Sequence, residues 1–93
     1  MEFKREEVQK YVALVRDENP LHPEIVPGQL VVERLWSTLN RVPSHYQVKY
    51  KKPVYVDTQY TIEQKDQHIV LKSMTGDTML EITVENTYNF KKI

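Results

Sequence analysis

The hydrophobic period of this 93-residue chain switches near residue 45, and that switch restricts the folds open to it more than any other feature. Before it, Val8, Tyr11, Val12 and Val15 recur at i, i+3, i+4 and i+7, with Glu6, Glu7 and Lys10 turned away. This predicts an amphipathic helix over residues 4–16, one without a good N-cap of its own. Pro27 suits the first turn of a second helix, running through Leu30, Val31, Leu35, Trp36 and Leu39 to about Val42 and ending before Pro43. Val31, Val32, Leu35 and Trp36 spread over more than one face, the pattern of a central helix covered by a sheet. After residue 45 the period falls to two. Tyr46, Val48 and Tyr50 alternate with Gln47, Lys49 and Lys51, and strand-like runs follow at Thr58–Gln64, His68–Met74 and Leu80–Phe90. Lys65-Asp66-Gln67 and Thr75-Gly76-Asp77 read as hairpin turns between them. Two helices followed by strands with short turns make an α+β layout with an antiparallel sheet.

Thirteen basic residues balance thirteen acidic ones, so no net field draws the chain toward nucleic acid or an anionic membrane. There is no cysteine, which removes disulfides, thiol nucleophiles and Cys-type zinc sites. The opening Met1-Glu2-Phe3-Lys4-Arg5-Glu6-Glu7 has no apolar leader, and no stretch approaches the ~20 apolar residues of a membrane span. The expected location is cytoplasmic. The chain makes one small domain whose core a second subunit would help complete. Tyr46, Lys49, Tyr50, Lys51, Lys52 and Tyr55 mix aromatics with cations as a single-strand nucleic-acid binder does, but strand alternation is the simpler account. It puts Tyr46 and Tyr50 on a core-facing side and Lys49 and Lys51 on the other, as solvated edge charges.

The densest polar chemistry lies in Asp17-Glu18-Asn19-Pro20-Leu21-His22, inside a loop from Asp17 to Ile25 that Pro20 and Pro23 keep from being helical. Asp17 and His22 can serve as an acid/base pair if they converge on one atom, and can equally be a turn cap and a turn neighbour. A metal at Asp17, His22 and Glu24 lacks a regular ligand face, so no metal is expected. His45 and His68 read as exposed polar positions. Trp36 reads as core or dimer interface, with pocket lining the lesser reading.

Asp17-x-Asn19-Pro20-Leu21-His22 resembles the D-x-N-P-[IL]-H signature of the MaoC-like, (R)-specific enoyl-CoA hydratase branch of the hotdog-fold superfamily. Two further segments are similar to that family in the same order: Ile25-Val26-Pro27-Gly28-Gln29-Leu30 to its entry into the central helix, and Val48-Lys49-Tyr50-Lys51-Lys52-Pro53-Val54 to its [VL]-x-F-x-x-P-V strand. The resemblance covers residues from about 3 to 60. It implies a hotdog fold, an antiparallel sheet wrapped around a central helix with a short helix before it. It implies hydration or dehydration of a trans-2-enoyl thioester, with Asp17 and His22 holding and activating the water. The Gly28 N–H would face the thioester carbonyl, and Asn19, Gly28 and Arg16 are the candidate substrate contacts. It also implies no cofactor besides the acyl-CoA substrate, and a homodimer joined sheet edge to sheet edge, with a larger or heteromeric hotdog assembly as the variant.

The chain departs from that pattern in ways that carry their own expectations. Arg16 replaces the glycine that usually precedes the aspartate. Five residues separate His22 from Gly28, where hydratases insert a pocket-walling segment. The strand before the first helix is absent, and V-G-D-T becomes Val56-Asp57-Thr58. A trimmed hotdog of this kind leaves two other roles in view: a catalytically silent module that binds acyl-CoA or a protein partner, and an acyl-CoA thioesterase.

Overall fold

The structure, a computed structural model, describes residues 1–15 and 24–85. In chain order the elements are α1 (Arg5–Val15), α2 (Gly28–Leu39), β1 (Tyr46–Tyr50), β2 (Tyr60–Lys65), β3 (His68–Ser73) and β4 (Thr78–Val84). All strand pairs are antiparallel and the sheet order is β1-β4-β3-β2. The last three strands form a meander and β1 lies beyond β4. The α+β layout with an antiparallel sheet is therefore present, and both expected hairpins close. Asp66 takes φ 56° in the first, and Gly76 takes φ 95° in the second. Asp and Gly are among the residues for which the left-handed region costs least. In the second turn Ser73 N–H donates to the Asp77 carbonyl at 2.8 Å, and Asp77 N–H donates to Ser73 Oγ at 3.0 Å.

Residues directly opposite on neighbouring strands share a face, so the register stacks the core in rows. Val48, Ile82 and Ile69 form one row; Tyr50, Leu80, Leu71 and Ile62 form the next. α2 sends Val31, Val32, Leu35 and Trp36 into the same hydrophobic cluster. Leu35, Ile69, Leu71 and Ile82 are wholly buried. Each such side chain contributes about 1.5–3 kcal/mol through removal of apolar surface from water. The wide apolar arc read from α2 is thus the arc it buries.

The boundaries differ from the sequence reading for local reasons. α2 stops at Leu39 rather than near Val42, because Asn40 enters the left-handed region (φ 57°, ψ 47°). The following Arg41 N–H then donates back to the Trp36 carbonyl at 3.1 Å, a helix stop that asparagine provides almost as well as glycine. β2 starts at Tyr60 rather than Thr58, since Asp57 also has a positive φ, 56°, and breaks the extended run. Of the expected strand Leu80–Phe90, the part through Val84 lies in β4; Asn86–Phe90 are outside the described residues. The strand expected to be missing before α1 survives as one antiparallel bridge, Glu2 to Gln59, beside β2. Tyr46 and Tyr50 share the helix-side face of β1, as alternation implied, but they are not core: they are 38% and 59% exposed. Among the described residues β1 pairs only with β4, and this outer strand is incompletely covered.

α1 is held by long-range contacts rather than by its own ends. Glu7 reaches back to accept the Lys4 N–H at 2.8 Å, half of a capping box, and Asp57 Oδ1 accepts the Arg5 N–H at 3.3 Å from fifty-two positions away. Arg34 of α2 donates to Glu7 Oε2 at 2.6 Å and to the Glu2 carbonyl at 3.2 Å, and its guanidinium stands 4.9 Å over the buried Phe3 ring. The Lys4 N–H above all holds the Glu7 carboxyl below its ordinary value of 4.5; desolvation opposes this, and the Arg34 cation adds to the lowering. A depressed carboxylate lends stability above its unfolded pKa and loses it as pH falls through the lower folded value. Glu7→Gln should therefore flatten part of the acid limb of the stability curve between about pH 5 and pH 2, measured by urea unfolding. Leu35→Ala and Ile82→Ala should each cost about 2–5 kcal/mol in the same assay, whereas exposed Val42→Ala should stay within ~0.5 kcal/mol.

Candidate functional site

The entry to α2 is fixed by the stretch that follows β1. Val26 N–H donates to the Val54 carbonyl at 2.7 Å, Val56 N–H donates to the Glu24 carbonyl at 2.9 Å, and Ile25 bridges Tyr55 antiparallel. This short ribbon aims the chain into Pro27, whose φ of −57° and ψ of 136° make it the N-cap of α2. Proline brings no N–H, and no side chain caps the helix. The first helical bond is Val31 N–H to the Pro27 carbonyl at 3.2 Å, so the N–H groups of Gly28, Gln29 and Leu30 precede it. They lie at the partly positive end of the helix.

Of these three residues Gly28 borders a cavity of about 310 Å³ between α2 and the segment from Tyr50 to Val54. Val26, Val31, Val54 and Leu80 give it an apolar lining, and Lys51 and Lys52 stand along its edge. A bulge in β4 shapes that edge. The register passes from Leu71 opposite Leu80 to Lys72 opposite Thr78, which leaves Met79 as the extra residue. Its carbonyl accepts the N–H groups of both Lys51, at 2.8 Å, and Lys52, at 3.0 Å, turning the chain at the end of β1. The two ammonium groups pair loosely with Glu81 at 3.8 Å and Asp77 at 3.5 Å. Ion pairs this exposed exchange partners at little cost, so an incoming anion can compete for both lysines.

Tyr50 forms the wall facing Gly28. A Cβ on Gly28 would lie 2.7 Å from Tyr50 Cε1 and 3.0 Å from Cζ, closer than real side chains pack. Gly28 thus gives the ring room to sit where it does, and no unusual backbone angle is involved. Burial, and secondarily the neighbouring Tyr46 phenol, raise the Tyr50 hydroxyl above the ordinary value of 10.0, so it stays a neutral donor at physiological pH.

Of the sequence-designated site residues, Gly28 is placed at the cavity. Arg16, Asp17, Asn19 and His22 lie outside the described residues, so the acid/base pair has no geometry here. Trp36 is buried and meets Tyr46 edge-to-face at 5.0 Å, with its indole N–H lacking a partner among the described residues. It borders a hollow at the C-terminal end of α2 with Glu33 and Val42, not the cavity at Gly28. His45 and His68 are exposed. Among the described residues no cluster of three His, Asp or Glu side chains is spaced for a metal, and no helix is long and apolar enough to cross a membrane. Tyr50 as a site wall was missed by strand periodicity, which reports its face but not what stands across from it; a glycine as the first helical residue was the available hint.

Gly28→Ala should leave the thermal midpoint nearly unchanged, because the atoms it meets are the far end of a half-exposed side chain that can swing aside. The expected readout is a change in the Tyr50 ring resonances by NMR without loss of dispersion elsewhere. No protein-family model matches this chain, and no curated protein matches it, so the functional reading rests on its own residues.

Proposed function

We propose that this chain is a MaoC-like hotdog protein that binds a trans-2-enoyl thioester and adds water reversibly across its double bond, with (R) stereochemistry. The observation that carries the reading is the start of α2: Gly28 and an uncapped first turn border an apolar cavity with two lysines along its edge. A thioester carbonyl, its acyl chain and an anionic carrier such as coenzyme A need those three environments, in that order. The antiparallel β1-β4-β3-β2 sheet sharing one core with the apolar face of α2 supports the hotdog assignment. The partly covered face of β1, and its place at the end of the sheet among the described residues, support a homodimer joined through that strand.

In this mechanism Asp17 and His22 hold one water. As its oxygen bonds to C3 of the enoyl group, one of the pair takes a water proton and the π electrons shift onto the thioester oxygen. The N–H of Gly28 stabilises that developing enolate oxygen, and its electron pair then returns to bond C2 to a proton from the other member of the pair. Dehydration is the reverse. Asn19 is assigned to the substrate's surroundings on the same resemblance, and Arg16 on its place next to Asp17 in the chain.

The test is the loss of conjugated enoyl-thioester absorbance with crotonyl-CoA and a longer trans-2-enoyl-CoA. Turnover that falls about a hundredfold or more in both Asp17→Asn and His22→Ala is the expected result. Absence of turnover by folded wild type, together with a saturable rise in thermal stability on adding acyl-CoA, would instead identify a binding module without chemistry.

A further inference from the structure

The Tyr50 hydroxyl is a polar group with nothing to do in the fold. It has no hydrogen-bond partner among the described residues, although its ring is held against α2. A Cβ built on Gly28 would lie 3.2 Å from this oxygen, which puts the hydroxyl beside the first turn of α2, where Gly28, Gln29 and Leu30 present N–H groups without helical acceptors. Tyr50 and Gly28 line one cavity. Strand pairing sets where the ring stands: Tyr50 is the last residue of β1, opposite Leu80, and the next two residues turn away onto the Met79 carbonyl. The bulge in β4 thereby ends β1 at the residue whose ring overlies the helix start.

We propose that the Tyr50 hydroxyl donates a hydrogen bond to the carbonyl oxygen of the bound thioester, converging on it with the N–H groups at the start of α2. The inference rests on the thioester reading of this cavity and adds to it the residue that recognises the carbonyl. A ring seated on a glycine can approach the helix terminus more closely than it could over any other residue. A phenol is also a suitable donor here, because it remains neutral and does not attract a competing carboxylate. The oxygen gains negative charge as water adds, so the same bond strengthens along the reaction.

Calorimetry with butyryl-CoA, which has the carbonyl but no double bond to hydrate, and with S-butyl-CoA, the thioether without the carbonyl, separates the possibilities. Wild type should prefer butyryl-CoA. Tyr50→Phe, which keeps the ring, should cut that preference three- to tenfold, about what one net hydrogen bond supplies, and leave thioether affinity and the melting midpoint unchanged. An undiminished preference in Tyr50→Phe overturns the inference while leaving the thioester reading intact. Equal weakening of both ligands also overturns it, since the tyrosine would then act only through packing. If wild type binds neither compound, the thioester reading fails and this inference with it.

Discussion

Burial of one face of α2 against the sheet is the constraint on which the rest of the molecule depends. A chain of 93 residues has little interior to divide, and the wholly buried Leu35, Ile69, Leu71 and Ile82 meet in a single cluster. With Gly28 against Tyr50 and Trp36 against Tyr46, the start of α2 is committed to the end of the sheet where β1 finishes, and its terminal carbonyls to the other. The cavity at Gly28 is a consequence of that placement. The helix begins there without a cap, and the chain leaving β1 cannot close over it completely.

The extra residue at Met79 links the core to the site. A regular ladder would have let β1 continue straight; the bulge instead gathers the Lys51 and Lys52 N–H groups onto one carbonyl and directs the chain toward Pro53 and Val54. Val54 then pairs with Val26, just before α2. One irregularity in β4 thus reaches both walls of the cavity. This is the ordinary use of a bulge beside a site, where re-aiming a strand matters more than the lost ladder bond.

The N-terminal segment shows a different economy. α1 has no serine, threonine, asparagine or aspartate where its cap should be, and its first N–H groups are met by Glu7 from within the helix and Asp57 from the turn before β2. Asp57 does this from a left-handed backbone position while its own N–H donates to the Phe3 carbonyl at 2.7 Å. Arg34 adds a charged contact to Glu7 and covers Phe3. Each interaction is exposed or half-exposed and individually modest, but all converge on residues 2–7, so the helix start and the buried Phe3 are retained together.

Much of the layout was legible in the sequence because periodicity is local. The apolar arc of α2, the core row of β4 through Leu80, Ile82 and Val84, and both hairpin turns follow from residue spacing and from the few side chains that tolerate a positive φ. So does the sidedness of Tyr46 and Tyr50. Their exposure does not, because burial depends on whether another element covers the strand, and β1 is an outer one. The long-range cap by Asp57, the bulge at Met79 and the seating of Tyr50 on Gly28 were likewise decided in three dimensions. Each joins residues whose spacing in the chain carries no signal of their meeting, and each arises only after α2 and the sheet have packed. The sequence by itself determined which residues form helices and strands and which sides they bury; the tertiary structure decided where one uncapped helix start, one tyrosine and two lysines come together around a cavity.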